Sequence, residues 1–257
     1  IFKSLSHVQS IVEKKNTLPI LSNIMLEVKE NCLILSSTDM DISITERLDC
    51  NVMEEGSTTV LAQTLYDIIR KLSDTSEIEF ISNDGKIMSL RSGKSKFSLS
   101  CLPKEDFPII EIGDLENEIN ISSDDLLKLI SKTRFAISNE ETRYFLNGVY
   151  FHKKTEGDIN YLSVVATDGH RLAKFDSRFK DFIPDITGVI IPKKTINELS
   201  KLLIDVDSLV KINLSSNKIV FFVENSVLIS KLIDGNFPDY KRVIPTNNNN
   251  ILKVNRQ

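Results

Sequence analysis

Near position 168 stand residue types that a hydrolase uses. Asp168 and His170 are two apart, so on a strand both would point the same way, a carboxylate beside an imidazole that could move a proton. Ser163 upstream could then serve as nucleophile. The surrounding sequence does not support this chemistry. It contains no Gly-x-Ser-x-Gly elbow, no Gly-rich phosphate loop and no paired-carboxylate motif. Asp168-Gly169 is also a strong turn dipeptide, and a second Thr-Asp occurs at Thr38-Asp39, so Thr-Asp is expected to serve the fold in both places. What sets the later copy apart is Gly169-His170-Arg171-Leu172, and function is assigned there. No catalytic residue is expected.

Metal and disulfide chemistry are equally unsupported. Cys32, Cys50 and Cys101 are odd in number and far apart, which suits reduced thiols in a cytoplasmic protein. With His7, His152 and His170 they form no metal-ligand spacing, and no cofactor is expected.

The elements that carry these residues come from a globular chain. Its 257 residues suggest two domains, and 41% hydrophobic with 26% charged residues is enough to build a core. No apolar run approaches the roughly 18–20 residues of a membrane span. The opening IFKSLSHVQSIVEKK is no signal peptide; it lacks an initiator Met and begins inside a helix-like pattern, so the natural start is expected to lie upstream.

An internal repeat organises the chain. SLSCLPKEDFP (98–108) and LISKLIDGNFP (228–238) align at an offset of 130. The same offset sets TVLAQTLYDIIRKL (59–72) on VIIPKKTINELSKL (189–202), where Leu65, Ile68, Ile69 and Leu72 meet Thr195, Glu198, Leu199 and Leu202, the second copy being the weaker helical match. SSTDMDI (36–42) meets VATDGHRL (165–172) at 129, Ser22-Asn23-Ile24 meets Leu146-Asn147-Gly148 at 124, and FKSLSHVQSIV (2–12) meets LKLISKTRFAI (127–137) at 125. Order is kept throughout, which indicates a duplicated domain. The boundary is expected in the acidic stretch 111–120, giving domains 1–113 and 114–246, with 247–257 a linker that begins in an asparagine run. Each unit reads as helix, strands, helix, strands. KINLSSNKIVFFVENSVLISKLI (211–233) and EIEFISNDGKIMSLRSGKSKFSLSCL (77–102) are meanders, the latter turning first at Asn-Asp-Gly, and the class is α+β with antiparallel sheets.

NTLPILSNIMLEV (16–28), STDMDISI (37–44), RSGKSKFSLSCLPKEDFP (91–108), RYFLNG (143–148), ATDGHRLA (166–173) and SKLIDGNFPDYKRVIP (230–245) together resemble the bacterial sliding clamps, the beta subunit of DNA polymerase III. TDGHRLA combined with FPDYKRVIP is the specific part, and the resemblance runs along the whole chain. It implies a DNA-clamp fold with sheets outside and two short helices per domain lining a central channel. It further implies three domains per chain, of which this sequence supplies the first two without the strand that opens domain 1, and a ring closed by two chains.

The resemblance also implies sites. A short-peptide pocket falls on Arg143, Leu146, Thr167, Gly169, His170, Arg171, Leu172, Pro238, Arg242 and Val243, an apolar floor with a cationic rim, and the third domain would complete it. Sequence-independent contact with duplex DNA falls on Lys15, Arg70, Lys71, Lys132, Tyr144, Phe145, Lys193, Lys194 and Lys201, with Glu140 a carboxylate where the family can carry a neutral amide. The dimer edge falls on Lys94, Lys96, Phe97 and Leu99, read as one alternating strand. Implied partners are duplex DNA, the polymerase III catalytic subunit, the clamp loader, other clamp-motif peptides and, for the full-length protein, a second copy of the chain, with no membrane. The charge distribution agrees: the helix-like segments 1–15, 62–72, 122–134 and 193–203 sum to +6 in a chain of −4, leaving the rest at −10. The competing reading is a peptide-binding adaptor that does not encircle DNA.

Overall fold

The computed structural model describes residues 1–13, 18–82, 85–113, 117–179, 184, 186, 188–245, 248 and 252–255. Unit 1 runs α1 (Phe2–Ile11), β1 (Asn23–Lys29), β2 (Cys32–Thr38), β3 (Ile42–Asp49), β4 (Gly56–Leu61), α2 (Ala62–Ile69), β5 (Glu79–Ser82), β6 (Ile87–Ser92) and β7 (Ser95–Leu102). Unit 2 opens on β8 (Asn117–Ser122) and repeats that order: α3 (Ser123–Ser131), β9 (Gly148–Glu156), β10 (Ile159–Thr167), β11 (Leu172–Phe179), β12 (Val189–Pro192), α4 (Lys193–Leu202), β13 (Leu209–Leu214), β14 (Lys218–Val223) and β15 (Ser226–Lys231). The expected boundary at 113/114 abuts residues 114–116, which lie outside the described residues, as do Asn83 and Asp84 of the expected first turn and most of 247–257.

Helical spacing dictates the buried faces. Leu5, Val8 and Ile11 of α1 are fully buried, as are Leu126 and Leu129 of α3, one stripe every three to four residues. α3 is also capped: Ser122 Oγ accepts from Asp125 N at 3.1 Å, and Asp124 and Asp125 sit in the first turn where the helix dipole favours negative charge. These starts correct two expected alignments. Phe2 against Ser123 is an offset of 121, not 125; it superposes Leu5 on Leu126 and Val8 on Leu129, whereas the 125 match ran on into the 3-10 turn Arg134–Ala136. Ala62 against Lys193 is 131, not 130, which replaces the weak pairing of Leu65 with Thr195 by buried Leu65 on buried Ile196.

Among the described residues the strands form an antiparallel eleven-stranded sheet in the order β5-β6-β7-β4-β1-β2-β3-β15-β14-β13-β8 and a four-stranded sheet in the order β11-β10-β9-β12. The larger sheet crosses from one unit to the other where β3 pairs with β15, in register from Ser226↔Glu46 to Ser230↔Ile42. α1 packs against α2 and also against α4, and α4 packs against α3, so the four α-helices among the described residues form a row α2-α1-α4-α3.

Candidate peptide cleft and nucleic-acid face

The turn joining β10 to β11 is built by Thr167 and Asp168. Thr167 Oγ1 donates to Arg171 O at 2.8 Å and accepts from Gly169 N at 3.1 Å. Asp168 Oδ1 accepts from the backbone N–H groups of His170 and Arg171, both at 3.0 Å, and Oδ2 accepts from Arg171 Nε at 2.9 Å. The backbone donors of Arg171 and His170 hold the Asp168 carboxyl down at about 2. Unit 1 repeats this chemistry: Thr38 Oγ1 donates to Ile42 O, Met40 N donates to Thr38 Oγ1, and Asp39 Oδ1 accepts from the N–H groups of Asp41 and Ile42. Thr-Asp is therefore a turn device in both copies. The Ser163–Asp168–His170 relay is not assembled: Asp168 binds the backbone of His170, and Ser163 Oγ, fully buried, donates to Asp176.

Arg143 braces the turn from beneath. Its Nε and Nη2 fork onto both oxygens of Glu140, at 2.7 and 2.6 Å, and Nη2 reaches Asp168 O at 3.3 Å. This fork pulls the Glu140 carboxyl below, and the Arg143 guanidinium above, their ordinary ranges. Gly169 stands at φ +89° with the guanidinium so close that a Cβ would lie 2.6 Å from Arg143 Nη1. The Arg171 guanidinium lies over the Phe135 ring at 5.8 Å.

Beside the turn is an open cleft of about 540 Å³ lined by Leu172, Lys174, Phe175, Asp176, Val243, Ile244 and Pro245. Of the residues expected at the peptide pocket, Leu172 and Val243 line it, and Thr167, Gly169, His170 and Arg171 form the adjoining turn over Arg143. Leu146 is buried, at 3% exposed. Pro238 and Arg242 are exposed but do not line the cleft; Arg242 Nε donates to Asp239 Oδ2. Sequence reasoning missed Lys174, Phe175, Asp176, Ile244 and Pro245. The alternation of β11, which places Leu172, Lys174 and Asp176 on one face, is the signal that could have found two of them.

Asp176 anchors a half-buried polar cluster in the wall of the cleft. Ser163 Oγ donates to its Oδ1 at 2.7 Å, and Lys154 and Lys174 donate to Oδ2 at 2.9 and 2.5 Å. Burial pushes the carboxyl up, but the donors Lys174, Ser163 and Lys154 prevail and hold it at about 2. Hydrogen bonds to Glu156 and Asp176 raise Lys154 above the usual lysine range.

On the helix side, Arg70 and Lys71 follow α2 and Lys132 follows α3, all exposed, at helix C-termini where the dipole favours cations. Arg70 also pairs with Asp67 at 3.3 Å. Lys193 Nζ donates to Asn139 Oδ1 and Lys201 Nζ to Glu198. Tyr144 is 53% exposed, while Phe145 is half-buried with Gly235 against it. Lys15 lies outside the described residues. Lys194 needs correction: its ammonium is engaged by Glu13 Oε1 at 2.9 Å and Asp39 Oδ2 at 2.5 Å, and so joins unit 2 to unit 1.

The expected edge strand also changes in detail. Lys94 is in the two-residue turn with Gly93, since β6 ends at Ser92 and β7 starts at Ser95. Leu99 is buried and Phe97 packs half-buried on the core, leaving Lys96 and the backbone at the edge. β7 pairs fully with β6 but meets β4 only at Thr59↔Leu102 and Val60↔Cys101.

A duplicated helix–strand unit, joined sheet edge to sheet edge with its helices in one row, is the architecture of the DNA-clamp class. Comparison with known proteins is in agreement. The family described as DNA polymerase III beta subunit, N-terminal domain, matches residues 1–111, and that described as DNA polymerase III beta subunit, central domain, matches 120–239. The beta sliding clamp of Caulobacter vibrioides (strain NA1000 / CB15N) is 43% identical over 255 residues, which cover 99% of this chain and 68% of that protein. The DnaN sliding clamp of Bartonella birtlesii bound to griselimycin superposes with a TM-score of 0.91 at 47% identity, over 95% of this chain and 65% of that one. That of Pseudomonas aeruginosa bound to griselimycin gives 0.90 at 36%, over 97% and 66%. The chain spans about two thirds of the length of these relatives. It belongs to the DNA polymerase III beta subunit family, the beta sliding clamps.

Proposed function

We propose that this chain supplies the first two domains of each protomer of a ring-shaped processivity factor. The ring encircles duplex DNA without reading sequence and tethers the replicative polymerase and its loader through short peptides bound in the cleft beside Gly169–Leu172. It acts in the cytoplasm as a homodimer and catalyses no reaction. The joint between the units carries this reading. β3 of unit 1 pairs with β15 of unit 2. Their counterparts, β11 in unit 2 and β7 in unit 1, are left with a free edge among the described strands, β11 at the end of its sheet and β7 along Ser95–Ser100. A head-to-tail joint repeated at a fixed rotation gives a ring when that rotation divides the full turn, and a filament otherwise. The helices, packed in a row on one side, would then form its inner wall, with Arg70, Lys71 and Lys132 among the cations facing phosphates. Griselimycin bound to the two relatives supports a ligand-binding role for the family surface.

The test uses the full-length protein loaded on a nicked plasmid by its clamp loader. Cys101 N–H bonds to Lys86 O, so alternate N–H groups at Ser98 and Lys96 face away from β6. The wild-type protein should co-elute with circles and be lost on linearisation, and Ser98→Pro, which removes an outward donor, should not be retained. Equal retention on circular and linear DNA would support an adaptor that does not encircle DNA.

A further inference from the structure

The wall of the cleft formed by Val243, Ile244 and Pro245 belongs to the segment that follows β15. Its described residues contribute no strand, so up to Pro245 the backbone has no ladder to hold it against β11. Two side chains fasten it instead. Tyr240, 5% exposed, places its hydroxyl 3.0 Å from His152 Nε2. His152, 8% exposed, lies on β9, and its Nδ1 is 2.8 Å from Lys153 O. The carbonyl can only accept, so Nδ1 carries the proton and Nε2 accepts from the tyrosine. Three residues before Tyr240, the Phe237 ring stacks on Tyr150 at 4.9 Å and 5°. Tyr150 in turn is pressed on Gly188, where a Cβ would fall 2.1 Å from its hydroxyl oxygen.

We propose that His152 and Tyr240 are positioning residues for the peptide cleft: their hydrogen bond seats the Val243–Pro245 wall, and a ligand binds tightly only while His152 is neutral. The proposal rests on the peptide-cleft reading above. A neutral imidazole accepts the hydroxyl's hydrogen at Nε2; a protonated one must donate there instead, so the bond reverses, the hydroxyl's own hydrogen turns away, and a charge is held on a residue only 8% exposed, which favours release of the segment. Burial lowers the histidine's affinity for a proton, so the latch is closed at neutral pH. The charges facing the ring are Asp176 and Lys174 from β11 and Lys241 from the segment itself, with Lys154 of β9 held on Asp176. The carboxylate favours protonation and Lys174 and Lys241 oppose it, so the imidazole takes up a proton only below the ordinary histidine range.

The experiment measures griselimycin affinity by calorimetry between pH 7.5 and 5.0 on the full-length protein, with thermal unfolding of each variant run alongside. Tyr240→Phe should weaken binding by about threefold to tenfold at pH 7.5, the range expected for one hydrogen bond. His152→Gln keeps an acceptor for the hydroxyl. It should bind at pH 7.5 within about twofold of wild type and lose the acid-dependent part of the affinity profile. His152→Leu should bind as weakly as Tyr240→Phe at every pH. A merely structural role would lower the unfolding temperature without changing the shape of the pH profile. Leu172→Ala with Val243→Ala serves as the control for the cleft itself. If that pair loses binding while Tyr240→Phe binds like wild type, or His152→Gln keeps the wild-type pH profile, the latch is wrong and the cleft stands. If the pair binds like wild type, the cleft reading fails instead.

Discussion

Lys194 Nζ donates to Asp39 Oδ2 at 2.5 Å across the joint between the two units. Asp39 commits its other oxygen to its own turn, as Asp168 does in unit 2. The copies part at the second oxygen. Oδ2 of Asp39 takes a lysine from the next unit, and Oδ2 of Asp168 takes Arg171 beside the cleft. One turn thus serves as a joint in one copy and borders the cleft in the other.

Replacing Lys194 with alanine should therefore act on stability. It leaves the Asp39 carboxylate, 10% exposed, short of a charged donor, at a cost of about 1–3 kcal/mol. Urea unfolding of Lys194→Ala, Asp39→Ala and the double variant would show strong coupling between the sites. Additive effects within about 0.3 kcal/mol would contradict the joint.

DNA binding should respond to other lysines. Lys71→Ala and Lys132→Ala remove exposed cations, and each should reduce the salt slope of duplex binding by about one. Lys194→Ala should leave that slope nearly unchanged. A titration of affinity against salt on loaded DNA separates the two kinds of lysine, and a drop for Lys194→Ala matching the others would assign it to phosphate contact.

Gly169→Ala should impair the turn. Met40 shows that a side chain can stand at φ +78° in the first copy, so conformation alone does not demand glycine there. At Gly169 the forked Arg143 lies in the way, held by Glu140. The variant should lose about 1–3 kcal/mol of stability and, on the cleft reading proposed above, bind a polymerase peptide more weakly. Pairing it with Arg143→Ala should restore part of both, as read by calorimetry and thermal unfolding.

These residues show how much the sequence discloses. Thr-Asp repeated in two places identified a turn device, because both side chains bond to backbone groups within the turn itself. The α+β class and the two helices per unit followed from local periodicity. The register of the helices did not, since apolar letters continue past α3 into a 3-10 turn and no local signal separates them. Cleft residues past Leu172 were hidden because they meet Val243–Pro245 only through tertiary packing. Lys194 read as a free cation for the same reason: its partners Glu13 and Asp39 are far away in the chain.

Asp176 gives stability an acid-dependent step. An unfolded aspartate titrates near about 3.9, and in the fold this one is held at about 2. Its contribution is fully present above the unfolded value and disappears as the pH falls from about 4 through about 2. Asp176→Asn should be less stable at pH 7 and should flatten the loss of stability between pH 4 and 2, measured by urea midpoints across that range. An unchanged slope would mean that other carboxylates carry the acid response.

The most direct measurement is DNA synthesis by the replicative polymerase on a primed single-stranded circle, with the clamp loader and the full-length protein supplied. The ring reading predicts long products from single binding events, and loss of that length when His170, Arg171 and Leu172 are all replaced by alanine. Short products with and without the wild-type protein would contradict it.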